Sequence, residues 1–333
     1  ACAICASDLH ACSGAWGGDL PAVNGHEAAG VVRTVGAGVT SVVPGQRVVV
    51  SLLRSCGACF FCANEMVHLC SGRHDFPIAT STRLHGLDGH PVAQGVYTGA
   101  FAEAVVVHAS QVVPIPEAVS FDRAALLACG VATGFGASTR TVPVEPRSHA
   151  VVIGAGGVGL NTIQGARHRG AASIVAVDLS EAKLRDALEF GATHSVNAAD
   201  GGLDAARETV AELTEGRGAD TVFVTVGSTA AIEQGLELCR DGGTVVVVGM
   251  TPAGEHASFE ASAFASHAKT IVGAFMGSTD LAADIPALVE LYVDGELMLD
   301  ELITARYSLE AINEAIASTA SGAARRNVVV LGD

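Results

Sequence analysis

The sequence predicts an α/β protein: a doubly wound parallel sheet of six strands, joined to a mostly β domain rich in cysteine and histidine. Three observations carry that expectation. From His149 onward, apolar strand-like runs alternate with helical stretches, the pattern of a parallel sheet covered by helices. Before about residue 130, short β-type runs are broken by Pro and Gly, as at Val43-Pro44-Gly45, which reads as irregular β structure. Eight of the nine cysteines crowd into that first part, and their clustering suggests metal.

In chain order, the first β-type runs are Ala28–Val35 and Gln46–Leu53. Six parallel strands are then expected at 150–153, 173–177, 194–196, 221–226, 244–248 and 270–274. Helices are expected at 158–169, 181–190, 203–214 and 230–239. Helices at 282–293 and 309–317 and a strand at 327–331 follow. The expected domains are residues 1–130 with 275–333, and residues 131–274.

A length of 333 residues fits about two domains at roughly 100–200 residues each. The 35 acidic against 19 basic side chains give a net charge of −16, which repels phosphate backbones and argues against nucleic acid. Polar residues interrupt every apolar run before the ~18 residues that a membrane span needs. The odd cysteine number and the lack of a charged-then-apolar leader speak against a disulfide framework and for a cytoplasmic enzyme.

Val151-Val152-Ile153 runs into Gly154-Ala155-Gly156-Gly157-Val158-Gly159. After a strand and before a helix, such glycines allow a tight turn, close approach of backbone N–H groups to a pyrophosphate, and close helix packing. Asp178 lies 19 residues beyond Gly159, near the ~20 expected for an acid that binds a ribose 2′-hydroxyl.

Cys56, Cys59, Cys62 and Cys70 form C-x2-C-x2-C-x7-C. Four soft thiolates on one loop suit a closed tetrahedral zinc, with an iron–sulfur cluster as the competing occupant. A dispersed set, Cys5, the pair His26-Glu27 and Cys129, offers two thiolates and one imidazole. That set would leave a zinc with a fourth position open, the catalytic arrangement.

Cys5-Ala6-Ser7-Asp8-Leu9-His10, Gly25-His26-Glu27, the four-cysteine loop, Cys129-Gly130-Val131-Ala132-Thr133-Gly134 and the glycine turn occur in order. In order and spacing the chain resembles the zinc-dependent medium-chain alcohol dehydrogenases over essentially its whole length. The resemblance implies a GroES-like catalytic domain, a Rossmann domain, two zinc ions per chain, NAD, and a small alcohol or aldehyde substrate. By motif, Cys5, His26 and Cys129 resemble the catalytic zinc ligands, and Cys56, Cys59, Cys62 and Cys70 the structural ones. Asp8 resembles the carboxylate orienting His26, Glu27 the acid behind the zinc, and Ser7 and His10 a proton relay. Lys183 resembles an adenosine-ribose contact and Arg326 a pyrophosphate contact. Thr133, Val248 and Ala274 resemble residues at the nicotinamide, and Trp16, Leu52 and Met250 the substrate pocket. The long stretch from Cys70 to Cys129 is similar to that of dimeric relatives, implying a homodimer.

There are departures. Ala6 stands where many relatives place Arg or His, implying one pyrophosphate contact fewer. Relatives also carry about one to two β-hairpins upstream of the first ligand. Two other functions compete with this reading. Formaldehyde-oxidising relatives that act on a glutathione adduct carry an acid near the place of Trp16 and an arginine near the place of His74, both absent here. A non-catalytic NAD-binding sensor would not need the full ligand set with Ser7 and His10.

Overall fold

The computed structural model describes residues 1–76 and 83–332, apart from the side chains of residues 200 and 201. The chain divides into two compact units, residues 1–130 with 279–333, and residues 131–278.

The second unit is built on a six-stranded sheet. Its order is His194–Asn197, Ser173–Asp178, His149–Ile153, Ala219–Val224, Cys239–Val247 and Thr270–Gly273, all neighbours parallel. Parallel strands covered on both faces must be apolar along their whole length, and Val151, Val175, Val222, Val224 and Val245 accordingly lie in the core. Strand order reverses beside His149–Ile153, so the carboxyl end of that strand faces a crevice suited to a ligand. Its helices are the short Ala132–Gly136, then Gly157–His168, Glu181–Glu189, Ala198–Thr214, Thr229–Leu238 and the short Ala261–Ser266. The helix expected from Leu203 starts at Ala198, because the Asn197 side chain accepts the Ala199 N–H at 2.9 Å. Gly202, at φ 58°, breaks it internally.

The first unit carries a mixed six-stranded sheet in the order Ile303–Tyr307, Arg326–Val329, Cys2–Ala3, Glu27–Val31, Arg47–Val50 and Val112–Pro114. Only the first pair is parallel. A three-stranded sheet adds Ala22–Val23, Pro91–Gln94 and Leu84–His85. The run expected at 28–35 is a strand only over Glu27–Val31, and that at 46–53 only over Arg47–Val50. The helix expected at 309–317 is Ile312–Ala320, since Ser308 and Leu309 close turns onto Ala311 and Ile312.

Helix Ala6–Ser13 was not expected, because its apolar positions follow no helical period. It forms because Cys5 and Asp8 cap it reciprocally and Gly14, in the left-handed region, ends it.

At the glycine turn, a Cβ on residue 159 would lie 1.8 Å from the Gly154 carbonyl oxygen, whereas one on residue 156 would meet nothing within 4 Å. Gly159 therefore serves packing and Gly156 leaves space open. Gly159→Ala should lower unfolding free energy by about 1–3 kcal/mol, while Gly156→Ala should stay within about 0.5 kcal/mol of the parent. Denaturant titration of both variants checks this, and equal losses would refute the distinction.

Candidate active site and metal centres

One candidate ligand atom from each of Cys5, His26, Glu27 and Cys129 lies within 4.8 Å of all the others, and all four residues are buried. Three separate pieces of chain deliver them. Cys5 is the N-cap of helix Ala6–Ser13, His26 leads into strand Glu27–Val31, and Cys129 sits in the wide helical turn Leu127–Val131. Asp8, in the helix that Cys5 caps, does not itself join the cluster but holds two of these pieces together.

The buried Asp8 carboxylate takes three donors. Its Oδ2 accepts the Cys5 N–H at 2.9 Å, and its Oδ1 accepts the Gly25 N–H at 3.0 Å and faces His26 Nδ1 at 3.2 Å. A carboxylate on Nδ1 fixes the imidazole so that Nε2 is the atom left to ligate. His26 Nε2 is buried and has no hydrogen-bond partner. That orphaned nitrogen, beside two thiols, fits zinc.

The electrostatics agree with a site arranged to hold a cation. The hydrogen bond from the Cys129 thiol holds Cys5 well below the ordinary thiol range against the effect of burial, and the same bond together with burial raises Cys129. Burial pushes His26 down, but the charge and hydrogen bond of Asp8 hold it above its usual value. Burial pushes the Glu27 carboxyl up to about 7 against the opposing charge of Arg326. Arg326 Nη2 donates to Glu27 Oε2, and both side chains are buried. Arg326, expected at the pyrophosphate, thus has one edge committed behind the cluster, while its Nε has no partner.

Around this cluster the Cys5 thiol lies 3.7 Å from Ser7 Oγ. His10 stacks on Trp16 with ring centroids 4.7 Å apart. Trp16 and Leu52 are half-buried. Met250, in the other unit, is 55% exposed.

The thiols of Cys56, Cys59, Cys62 and Cys70 also fall within 4.8 Å of one another. Backbone groups support them: Cys56 N–H donates to Cys70 Sγ at 3.2 Å, and Cys59 N–H to Cys56 Sγ at 3.3 Å. The backbone N–H of Cys62 brings Cys59 down to about 5, whereas burial takes Cys70 up to about 12. Four sulfurs on one short loop fit a closed tetrahedral zinc.

In the second unit, Asp178 ends its strand against the glycine turn. Its carboxylate accepts Ala155 N–H at 2.8 Å and Ser180 N–H at 3.0 Å, which fixes it beside the residues that would carry a dinucleotide. Gly156 caps helix Gly157–His168, whose first turn holds Val158 and Gly159. Lys183 is half-buried in the helix after Asp178. Val248 and Ala274 are buried just beyond the carboxyl ends of their strands. The Thr133 hydroxyl donates to Met276 Sδ at 3.6 Å. Met276 reaches Thr133 from a left-handed turn at φ 52° that a methionine in the sequence does not signal.

Two family models match. One, described as alcohol dehydrogenase GroES-like domain, covers residues 1–117, and the other, zinc-binding dehydrogenase, covers residues 157–294. The NDMA-dependent alcohol dehydrogenase of Amycolatopsis methanolica is 36% identical over 99% of this chain and 90% of its own. An alcohol dehydrogenase zinc-binding domain protein from Burkholderia ambifaria superposes with a TM-score of 0.92 at 30% identity, over 99% of this chain and 89% of that one. Benzyl alcohol dehydrogenase from Acinetobacter calcoaceticus gives 0.90 at 30% identity, over 99% and 90%. With a GroES-like domain, a parallel six-stranded Rossmann sheet and matches across nearly its full length, this chain belongs to the zinc-dependent medium-chain dehydrogenase/reductase family.

Proposed function

We propose that this enzyme is an alcohol dehydrogenase that interconverts an alcohol with its aldehyde or ketone, with NAD at the Gly154–Gly159 turn and zinc held by Cys5, His26 and Cys129. The observation that carries the reading is the buried convergence of two thiols with an imidazole whose free nitrogen has no partner. When bound, zinc supplies a Lewis acid that acidifies an alcohol hydroxyl, and the dinucleotide supplies an acceptor for the hydride.

The chain's own residues do the positioning. Asp8 holds the His26 ring and the start of the Cys5 helix in one geometry. Arg326 neutralises Glu27, which keeps that carboxylate tolerable in a buried setting. Ser7, beside Cys5, and His10, stacked on Trp16, pass the hydroxyl proton outward. Thr133, Val248 and Ala274 keep the nicotinamide face dry. The Cys56–Cys70 loop holds a second, structural zinc, and the protein works as a homodimer.

The test is metal analysis joined to turnover assays on benzyl alcohol and on primary and secondary aliphatic alcohols, with NAD, NADP and NDMA as separate arms. Alcohol-dependent formation of NADH from NAD supports the reading, and no turnover in any arm would favour a sensor. Cys129→Ala should leave a folded protein with about one zinc and no turnover, because only the open site loses a ligand. Full activity in that variant would overturn the assignment.

Cofactor preference follows from Asp178. A 2′-phosphate would set like charge against its carboxylate, at a cost of several kcal/mol, so NAD should be preferred over NADP by about two orders of magnitude in kcat/KM. Residues 179–182 are Leu, Ser, Glu and Ala, which offer the phosphate no cation. Asp178→Gly should narrow the ratio mainly by weakening NAD, and a parent ratio near one would contradict the role of Asp178.

A further inference from the structure

Within the unit formed by residues 1–130 and 279–333, a cleft of about 260 Å³ is lined by Ser41, Arg54, Ser55, Ser110, Thr279 and Asp280, among others. No residue of either metal cluster lines it. Its chemistry is set by Arg54, which is only 3% exposed. Among the described residues, no group takes a hydrogen bond or an ion pair from that guanidinium, and its buried Nε has no partner. Its guanidinium carbon lies over the face of Tyr97, 4.2 Å from the ring centroid. The Tyr97 hydroxyl is itself bonded to His74 Nδ1 at 3.0 Å.

A buried guanidinium without an acid beside it is costly, because burial removes its hydration and nothing returns the charge. A ring face offsets only part of that loss.

The one acid on the cleft wall, Asp280, turns to its own helix, where Oδ1 accepts the Ala282 N–H at 3.1 Å. Nearby, a hydroxyl is held in place: Ser110 Oγ accepts the Ser55 N–H at 3.0 Å and is bonded to His108 Nδ1 at 2.9 Å. A chain of net charge −16 with 35 acidic side chains has carboxylates to spare, yet among the described residues none is placed on this cation.

We propose that this cleft binds a small oxyanion, a carboxylate or phosphate group, on the Arg54 guanidinium. The planar fork of arginine matches two oxygens of such a group at once, and the cleft has room for a ligand of a few heavy atoms. The cleft shares no lining residue with the metal clusters or with the relay residues Ser7 and His10.

The test uses the zinc-loaded, full-length protein and three probes at matched ionic strength: inorganic phosphate, succinate and chloride. Calorimetric titration and thermal unfolding should show saturable binding of phosphate, of succinate or of both, with Tm rising as sites fill. The arm that saturates at the lower concentration assigns the group. Chloride should have no saturable effect. Arg54→Met should weaken that binding by at least about tenfold, while zinc content and alcohol turnover without added anion stay at the parent level. If Arg54→Met does not fold, Arg54→Lys decides, since it keeps the charge and loses the fork: weaker binding supports the site and unchanged affinity overturns it. No saturable binding to the parent, or equal affinity in Arg54→Met, would also overturn it.

Discussion

The carboxylate of Asp8 is the contact on which the candidate active site depends. It is fully buried and takes the Cys5 N–H, the Gly25 N–H and His26 Nδ1. Because two of these partners lie 17 and 18 residues away in sequence, one side chain fixes the start of a helix against the entry to a strand. A buried carboxylate is tolerable only when its oxygens are satisfied. The network therefore enforces one geometry, in which the free edge of His26 and the Cys5 thiol share a small volume.

Strand register completes what Asp8 begins. The strand Cys2–Ala3 runs between Glu27–Val31 and Arg326–Val329, pairing Ala3 with Glu27 on one side and with Val328 on the other. Ile4 N–H then donates to the Asn327 carbonyl. Glu27 and Arg326, 299 residues apart in sequence, are thereby brought to the same place beside Cys5. The buried ion pair follows from the sheet, and it leaves a compensated charge behind the thiols where a lone carboxylate would be costly. The four-cysteine loop differs in kind. Its ligands lie within fifteen residues, from Cys56 to Cys70, and backbone N–H groups of the same loop bond their sulfurs.

That difference explains what could be read from sequence. The six parallel strands were legible because buried parallel strands are continuous runs of Val and Ile, as at Val151-Val152-Ile153. The glycine turn and the Cys56–Cys70 loop were legible because their chemistry needs residues at fixed local spacing. Cys5, His26 and Cys129 were legible as a set only through resemblance, since nothing local joins them. Helix Ala6–Ser13 was hidden because caps rather than apolar periodicity define it. The pairing of Arg326 with Glu27 depends on register across three strands, and the left-handed turn at Met276 on tertiary contact. Arg54 was hidden as well: a single arginine beside a cysteine motif does not announce that it will be buried.

The most direct test of the role given to Asp8 is the zinc affinity of Asp8→Asn, measured by chelator competition with the zinc of each site followed separately. The carboxamide keeps the shape and removes the charge that orients His26. Zinc held by Cys5, His26 and Cys129 should bind about 10–100-fold more weakly, while zinc on Cys56, Cys59, Cys62 and Cys70 is retained unchanged. Unaltered affinity at the first site, or equal loss from both, would contradict the account.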